Sequence, residues 1–534
     1  MSVIHGDVQP FALTLDKFLV HAARWHSAAE VVTAGDAGNI TRVSYAELYE
    51  RSRRISGVLE QHGIRIGDRV ATLAWNTQAH VEVFYAIMGM GAVCLTLNPR
   101  LISSQLAAMA VQSQPRVLIV SADLETKARE IAEQSGVIEQ IWVIDTPDEA
   151  AALSPGDLSV SVLEPLIAAT RSDRGNWGNF EETSPSGLCF TSGTTGAPKG
   201  VTYTHRSSFL HTLRLLQADV MGISRSDSVL VVVPMFHANA WGLPFAVPAV
   251  GAKLVLPGRH ADGPALARLI ASESVTIAVG VPTVWIGLLE YLETSGVTLP
   301  TLQRIIVGGA PLAQTLMERL ERRLGVKVQT SWGMTELSPS GTVSSAGEPS
   351  RVAAVAGRPA VGVDLLITDA EGRALPDQRD VEGHLRVRGA AVIERYFGEH
   401  QKATDADGWL PTGDLARIAQ DGSLMIVGRA KDLIKSGAEW INPAAIEALV
   451  GVLPEVALVA VIGRSDPKWG ERPILLVELR SDQSISDEAL LAPLRGRVAS
   501  WWIPDAVFRI PRMPLAPTGK IDKMSLRSEY GGGG

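Results

Sequence analysis

Short apolar runs alternate with amphipathic stretches up to about residue 350. Apolar positions three and four residues apart predict a helix over residues 44–63, with Leu48, Ile55 and Leu59 on one face and Ser44 as its N-cap. The same spacing predicts further helices at residues 79–90, 264–272 and 312–324. Buried strands are predicted at residues 69–74, 116–120, 141–144, 188–190, 201–203, 228–234, 252–256, 276–281 and 304–307. Such alternation favours an α/β fold with parallel-rich sheets flanked by helices.

The pattern changes after about residue 350. Shorter strands, predicted at residues 363–367, 383–388 and 422–427, are separated by Asp/Gly turns and indicate a β-rich subdomain. From residue 428 a smaller α/β unit is expected, with helices at residues 443–450 and 487–498 and strands at residues 456–462 and 473–478. The sequence therefore predicts two domains, at residues 1–428 and 429–534.

Composition narrows the class of protein. The chain has 534 residues, enough for a large core without disulfides or a structural metal. Its net charge of −8 has no long basic block, which argues against a nucleic-acid partner. Only Cys94 and Cys189 occur, which fits a reducing compartment. No basic apolar leader and no apolar run of about 18 residues is present, so we expect a cytoplasmic protein without a membrane span.

The segment TSGTTGAPKG at residues 191–200 lies between two predicted strands. Its glycines, Gly193, Gly196 and Gly200, allow backbone amides to turn inward as a nest for an anion. Hydroxyl donors and a positive charge come from five further side chains: Thr191, Ser192, Thr194, Thr195 and Lys199. The combination is typical of a phosphate-binding loop, although it is not a Walker A loop because glycine follows the lysine. The alternative is a flexible surface loop.

Five segments in a fixed order resemble the signatures of the adenylate-forming superfamily of acyl- and aryl-CoA synthetases, peptide-synthetase adenylation domains and luciferases. They are the loop at residues 191–200, SWGMTE at 331–336, LPTGD at 410–414, GRAKDLIKSG at 428–437 and PTGKI at 517–521. The resemblance is strongest to bacterial medium-chain fatty-acid–CoA ligases and methylmercaptopropionate-CoA ligases. It rests on PMFHANAWG at 234–242, SWGMTELS at 331–338 and KSGAEWI at 435–441.

The resemblance implies an ATP-dependent carboxylic acid–CoA ligase that works in two steps. The acid and ATP form an acyl-adenylate and pyrophosphate, and the thiol of CoA then takes the acyl group and releases AMP. ATP, Mg²⁺ and coenzyme A are the implied cofactors. The resemblance also implies an N-terminal adenylation domain, a mobile C-terminal domain that turns about Lys431, and a homodimer as one state open to the chain.

Attack of a carboxylate on the α-phosphate needs a cation and clustered donors, because two anions must be held in line. Glu336 is the predicted Mg²⁺ ligand, together with Thr194, since hard cations prefer oxygen ligands. The resemblance places Lys520 over the α-phosphate and the acid, where it stabilises developing charge. It places Arg429 on ribose or phosphate, and Asp414 on the ribose hydroxyls. Without the resemblance, Lys520 would be interpreted as a solvated charge, and TGD at residues 412–414 as an ordinary turn.

The remaining nucleotide contacts come from two segments. The turn at residues 308–311 is expected to form a flat wall that sandwiches the adenine with Trp332. The predicted contacts in these segments are Gly309, Ala310, Pro311, Ser331, Trp332, Gly333, Met334 and Thr335.

The acid and CoA sites are predicted with alternatives. His237 occupies a family position beside the carboxylate, although a lone histidine at a strand end is more often structural. It cannot pair with an ammonium, which argues against an α-amino acid. The predicted acyl-site residues are His237, Trp241, Trp285, Gly308, Gly333 and Met334, where large apolar residues could equally be core. The predicted CoA contacts are Lys435, Ser436, Gly437 and Trp440.

Two other functions stay open at this stage. An enzyme of the same fold could pass its adenylate to a carrier protein or oxidise it. A non-catalytic nucleotide-binding scaffold could keep the loop alone, but it would have no need of Lys199, Glu336, Asp414 and Lys520 together. The identity of the acid is not given by the sequence.

Overall fold

The computed structural model describes residues 8–146, 159–171, 177–191, 198–348, 351–437, 439–481, 483–516 and 519–532. Contacts between residues divide the chain into two compact units. Unit 1 comprises Met1–Thr191, Gly200–Leu216 and Ile223–His260. Unit 2 comprises Ser192–Lys199, Gln217–Gly222 and Ala261–Gly534.

Unit 1 contains a seven-stranded sheet, with the order Ser159–Val162, Gln140–Ile144, Val117–Ser121, Arg69–Leu73, Val93–Thr96, Pro185–Phe190 and Gly200–Thr204. All neighbours are parallel except the last pair. Four further strands lie side by side in the order Ser228–Val231, Lys253–Leu256, Glu30–Ala34 and Ile40–Ser44. Only the last of their pairings is antiparallel. The predicted strands on either side of the loop at residues 191–200 are therefore confirmed.

The helices of unit 1 cover the parallel strands. They are Asp16–Trp25, Tyr45–Gln61, Gln78–Gly89, Ser103–Ser113, Glu125–Ser135, Leu163–Ala169, His205–Leu215 and Leu243–Ala249. Tyr45–Gln61 confirms the predicted helix, since Ser44 caps it through a capping box and the predicted face of Leu48, Ile55 and Leu59 is buried.

Unit 2 begins with five strands in the order Ile277–Gly280, Arg304–Val307, Lys327–Gly333, Ser340–Val343 and Arg358–Pro359. The first two pairings are parallel and the last two antiparallel. The β-rich subdomain is confirmed as an antiparallel four-stranded sheet of Val363–Thr368, Glu382–Gly389, Leu410–Ile418 and Leu424–Arg429. The helices of unit 2 are Gly263–Ser272, Pro282–Ser295, Gln314–Leu324, Pro443–Val450, Asp487–Leu491 and Lys523–Tyr530.

The last part of the chain forms a five-stranded sheet with a separate apolar core on each face. In spatial order its first four strands are Glu439–Ile441, Ile434–Ser436, Gly470–Leu479 and Val456–Asp466, and Ala506–Arg509 also pairs with Gly470–Leu479. Alternation along the strands separates the cores, because Val461 and Leu475 belong to one while Ile462 and Leu476 belong to the other.

One local prediction is wrong. The helix predicted at residues 487–498 ends at Leu491 and continues only as the 3₁₀ turn Ala492–Leu494, because Pro493 has no amide hydrogen to continue the helix. The alternative interpretation of TGD at 412–414 as an ordinary turn does not hold either, because these residues are part of the strand Leu410–Ile418, which pairs with Leu424–Arg429. In addition, the strand predicted at residues 228–234 is shorter, Ser228–Val231.

Each helix within the described residues is too short or too polar to span a lipid bilayer.

Candidate active site

Asp414 is the buried centre of the candidate nucleotide site in unit 2, with 3% of its surface exposed. Its Oδ1 lies 2.9 Å from Nε of Arg429, the residue opposite it on the neighbouring strand. Its Oδ2 accepts a hydrogen bond from Nε1 of Trp332 at 2.9 Å. Burial raises the pKa of Asp414, while Arg429, Trp332 and Lys520 oppose that shift. A carboxylate has about four acceptor positions, so Asp414 can still accept further hydroxyl donors.

Trp332 is fixed in place by a glycine as well as by Asp414. A side chain at Gly341 would lie 2.5 Å from the indole ring, so the backbone at that position approaches the ring directly. The preceding residue, Ser331, donates its hydroxyl to the carbonyl of Val307 at 3.1 Å, which ties the end of one strand to the next. The predicted adenine-facing residue is thus held in place near the carboxyl end of the strand Lys327–Gly333.

The turn at residues 308–311 follows the strand Arg304–Val307, as predicted. Gly308 is buried, Gly309 adopts a positive φ of 80°, and Pro311 is exposed. At the second segment, Gly333 has room for no side chain, because a Cβ there would lie 2.3 Å from the carbonyl oxygen of Pro339. Met334 is half-buried and Thr335 is buried.

Lys520 lies near the cationic and acidic groups that surround Asp414. Its turn is closed by a hydrogen bond from the amide of Ala516 to the carbonyl of Lys520 at 2.7 Å. Gly519 packs beside Thr283, at the start of the helix Pro282–Ser295. Burial first, and then the charge of Arg429, lowers the pKa of Lys520 to about 8, while Asp414 opposes the shift.

The predicted hinge residue Lys431 belongs to the 3₁₀ turn Ala430–Asp432 that follows Arg429. Burial lowers the pKa of its ammonium, and the carboxylate of Asp432 opposes that shift. Asp432 also pairs with Arg527 of the last helix at 3.2 Å.

Glu336 is buried in the 3₁₀ turn Thr335–Leu337. Its Oε1 accepts a hydrogen bond from the hydroxyl of Tyr396 at 2.9 Å. The ring of Tyr396 lies 4.7 Å below the ammonium of Lys199, the described lysine of the candidate phosphate loop. The loop residues Ser192, Gly193, Thr194, Thr195 and Gly196 lie outside the described residues, and Thr191 is half-buried.

The donor set around Glu336 fits Mg²⁺. Within the described ranges no group of three or more His, Cys, Asp or Glu side chains could enclose a metal ion. Mg²⁺ is usually held by one or two carboxylates together with substrate phosphates rather than by a protein cage. A single buried carboxylate with one oxygen tied to a neutral hydroxyl is consistent with that mode.

In unit 1, His237 precedes a turn with an uncommon backbone. Ala238, Asn239, Ala240 and Trp241 have φ between 45° and 56°, the left-handed region that L-residues rarely enter, and Gly242 continues it. Trp241 is 8% exposed. The turn is held from below, since Sγ of Cys189 lies 3.6 Å from Oδ1 of Asn239.

Asn76 fixes the chain that leads to this turn. Its side-chain amide donates to the carbonyls of Val231 and Val233 at 3.0 and 2.8 Å, and its Oδ1 accepts from the amide of Met235 at 2.7 Å. One buried side chain thereby replaces the strand pairing that ends at Val231, and sets the direction of the segment that carries His237.

Trp285 is fully buried in the helix Pro282–Ser295 of unit 2. Its ring packs on Gly280, where a Cβ would lie 2.8 Å away. Its Nε1 has no hydrogen-bond partner among the described residues.

The predicted CoA contacts form a hairpin of Ile434–Ser436 and Glu439–Ile441. Lys435 and Trp440 are opposite each other, with the ammonium 5.5 Å from the ring, and Trp440 is 52% exposed. Ser436 is buried and accepts a hydrogen bond from Arg472 at 3.1 Å. Gly437 has a positive φ of 63° and donates to the carbonyl of Trp469, an exposed indole that the sequence did not single out.

Sequence reasoning missed Tyr396, Asn76 and Asn239. Tyr396 lies 60 residues from Glu336, so no local spacing connects them. Asn239 lies inside the segment PMFHANAWG at 234–242, but nothing in the letters ANAW predicts four left-handed residues.

Comparison with known proteins identifies the family of the chain. Residues 18–397 match the family model of the AMP-binding enzyme, and residues 445–520 match that of the AMP-binding enzyme C-terminal domain. The 3-methylmercaptopropionyl-CoA ligase of Ruegeria lacuscaerulensis is 38% identical, with 98% of each chain covered. The medium-chain-fatty-acid–CoA ligase of Ectopseudomonas oleovorans is 39% identical, with 98% of this chain and 97% of that protein covered.

A solved structure shows the same fold. The anthranilate CoA ligase AuaEII, determined in complex with anthranoyl-AMP, superposes with a TM-score of 0.87 at 22% identity, and 98% of each chain is covered. From the match over most of its length and from its full-length relatives, the chain belongs to the AMP-binding enzyme family, among the acyl-CoA ligases.

Proposed function

We propose that this ligase activates short- to medium-chain or compact aryl carboxylic acids. In the first step a carboxylate oxygen attacks the α-phosphate of ATP, which gives the acyl-adenylate and pyrophosphate. In the second step the thiolate of CoA attacks the acyl carbonyl, which gives the thioester and AMP. The enzyme takes ATP, Mg²⁺ and coenzyme A, as the ligases of its family do.

The observation that carries the proposal is the group of charges around Asp414. Arg429 pairs with Asp414 at 2.9 Å, and Lys520 is close enough for both to shift its pKa. Two cations beside a carboxylate that retains free acceptor positions suit a bound nucleotide, whose phosphates need positive charge and whose ribose needs an acceptor.

We assign roles on this basis. Asp414 accepts from the ribose hydroxyls, and Arg429 contacts ribose or phosphate. Lys520 stabilises the negative charge that develops as the bond to the α-phosphate forms. Glu336, with Thr194, would hold Mg²⁺, which neutralises phosphate charge when bound. Domain movement about Lys431, with boundaries at residues 428 and 429, would carry Lys520 away before the second step.

Nucleotide and CoA contacts at the other predicted positions remain part of the proposal. For CoA they are Lys435, Ser436, Gly437 and Trp440. The exposed indole of Trp440 offers an apolar face with a cation beside it, and Gly437 lets a narrow arm pass close to the backbone.

The preference for compact acids rests on Trp241. Its indole occupies volume that a longer acyl chain would need, if it walls the acyl site as its position after His237 indicates. Each buried CH₂ contributes up to about 0.8 kcal/mol where there is room, and overpacking costs about 1–3 kcal/mol where there is none. We therefore expect Trp241→Ala to shift the optimum toward longer or bulkier acids.

Release of pyrophosphate tests the activity, and kcat/KM across straight-chain acids from butyrate to palmitate tests the substrate class. Wild type should favour the shorter acids, and Trp241→Ala should move the maximum upward. A wild-type preference for palmitate, or an unmoved profile in the variant, would show that Trp241 is core. Thioester formation that requires free CoA separates this function from transfer to a carrier protein.

A cytoplasmic location and a homodimer remain predictions. The two buried free thiols, Cys94 and Cys189, are compatible with a reducing compartment. Light scattering on the purified protein would decide the oligomeric state.

A further inference from the structure

Tyr396 contacts two groups of the proposed phosphate and metal site at once. Its hydroxyl donates to Oε1 of Glu336 at 2.9 Å, and the centre of its ring lies 4.7 Å from Nζ of Lys199. The hydroxyl and the ring face are chemically independent, because the first donates a hydrogen bond and the second attracts a cation through its quadrupole. One residue therefore contacts both the candidate metal ligand and the candidate phosphate-binding cation.

The backbone holds Tyr396 in register with Glu336. The amide of Ile393 donates to the carbonyl of Glu336 at 3.0 Å, and the hydroxyl of Ser338 donates to the carbonyl of Ala391 at 3.0 Å. With the Tyr396 hydroxyl, three hydrogen bonds join the two segments. The position of the phenol relative to the carboxylate is therefore set by the fold and not by side-chain rotation alone.

A phenol suits this position better than a charged donor. Glu336 is buried, so its carboxylate needs a partner. An arginine or lysine would provide one, but its positive charge would compete with a metal ion. A neutral hydroxyl satisfies Oε1, leaves the negative charge in place and leaves Oε2 to face a cation.

We propose that Tyr396 is a positioning residue that orients Glu336 toward Mg²⁺ through its hydroxyl and supports the ammonium of Lys199 on its ring. This rests on the proposed function of the site. The two halves of the proposal separate in two variants: Tyr396→Phe removes only the hydroxyl, and Tyr396→Leu removes the ring as well.

The first measurement is metal affinity without turnover. Mn²⁺ is titrated into enzyme saturated with α,β-methylene-ATP, which cannot be cleaved at the α-phosphate, and binding is followed by electron paramagnetic resonance. Loss of a hydrogen bond to a charged group should weaken Mn²⁺ binding about tenfold in Tyr396→Phe. The Mg²⁺ concentration for half-maximal pyrophosphate release should rise equally, with the rate largely recovered at saturating Mg²⁺.

The second measurement is ATP binding in EDTA by calorimetry. Tyr396→Phe should bind metal-free ATP as wild type does, whereas Tyr396→Leu should bind it several-fold more weakly because Lys199 has lost its support. Thioester formation from preformed acyl-adenylate should change little in either variant.

Tyr530→Phe is the matched control, since interaction with a glutamate, Glu529, also raises the pKa of that tyrosine in the last helix. It should leave the Mn²⁺ affinity, the Mg²⁺ requirement, the binding of metal-free ATP and thioester formation at wild-type values. Unchanged Mn²⁺ affinity in a Tyr396→Phe protein with wild-type melting temperature would overturn the role of the hydroxyl. Equal binding of metal-free ATP by the Phe and Leu variants would overturn the role of the ring. Because Mn²⁺ binding needs no turnover, these results stand apart from a failure of the proposed activity in the acid panel.

Discussion

Lys520, the proposed cation of the adenylation step, lies in an environment that disfavours its positive charge. Burial and Arg429 lower its pKa to about 8, which leaves the ammonium protonated at neutral pH with little reserve. Repulsion from the neighbouring cations destabilises this ammonium, and the phosphates of a bound nucleotide would offset that repulsion. Such a residue contributes most in the step where negative charge develops.

Replacement of Lys520 should therefore separate the two half-reactions. We expect Lys520→Ala to slow acyl-adenylate formation by at least about 100-fold, the scale of losing one placed donor. Thioester formation from preformed acyl-adenylate should fall much less. Rapid-quench measurement of each half-reaction tests this, and equal losses in both would remove Lys520 from the adenylation step.

The same residue predicts a pH dependence. If the Lys520 ammonium stabilises the adenylation step as proposed, kcat/KM for ATP should fall as the pH rises through the pKa of this group, which is about 8 in the free enzyme. Lys520→Arg keeps its charge across this range and should be slower but flat. A wild-type profile that stays level well above pH 8 would contradict the assignment.

At the scale of elements, the turn at residues 238–242 is where local sequence and observed backbone disagree most. Three of its members are alanine or tryptophan in a left-handed conformation, which costs an L-residue about 1–2 kcal/mol. The surrounding contacts, including Cys189 against Asn239, must offset that cost.

Replacing two buried alanines by glycine, one in this turn and one in the helix that follows it, tests whether the backbone of the turn is strained. Ala240 has a φ of 49°, and Ala246 lies in the helix Leu243–Ala249; both are fully buried. Glycine removes a methyl group at each site, but only at Ala240 does it relieve the backbone. We expect Ala240→Gly to leave the free energy of unfolding nearly unchanged and Ala246→Gly to lower it by about 1 kcal/mol or more. Melting temperatures of the two variants provide the comparison. Equal destabilisation would show that the turn is not strained.

The regular elements followed from sequence because their signals are local. The capped helix Tyr45–Gln61 and the strand Arg304–Val307 need only periodicity and a cap to be recognised. The strand around Asp414 did not follow from the sequence, because TGD is typical of a turn and the strand forms through pairing with residues 424–429. The partners of Glu336 and Trp332 lie 60 and 82 residues away, distances over which a single sequence holds no physical signal.

On the scale of the whole molecule, the residues after Lys431 contain what a folding unit needs. Both cores of the last sheet are built from side chains between residues 434 and 530, and Lys523 joins two of its helices by pairing with Glu447 at 2.6 Å. A fragment of residues 431–534 should therefore fold alone and melt cooperatively by circular dichroism. A fragment that gives only a disordered spectrum would show that its cores depend on the rest of the chain.

Because both faces of the last sheet are covered by side chains of the same short segment, that segment could be separated from the rest of the chain and added back. The fragment that carries Lys520 would then be folded before any nucleotide binds. Residues 1–430 and 431–534 could therefore be supplied as two separate polypeptides. The adenylation rate of their mixture would then increase with the concentration of the two fragments. The rate of that encounter would measure what the covalent connection through residues 430–431 contributes as an effective concentration.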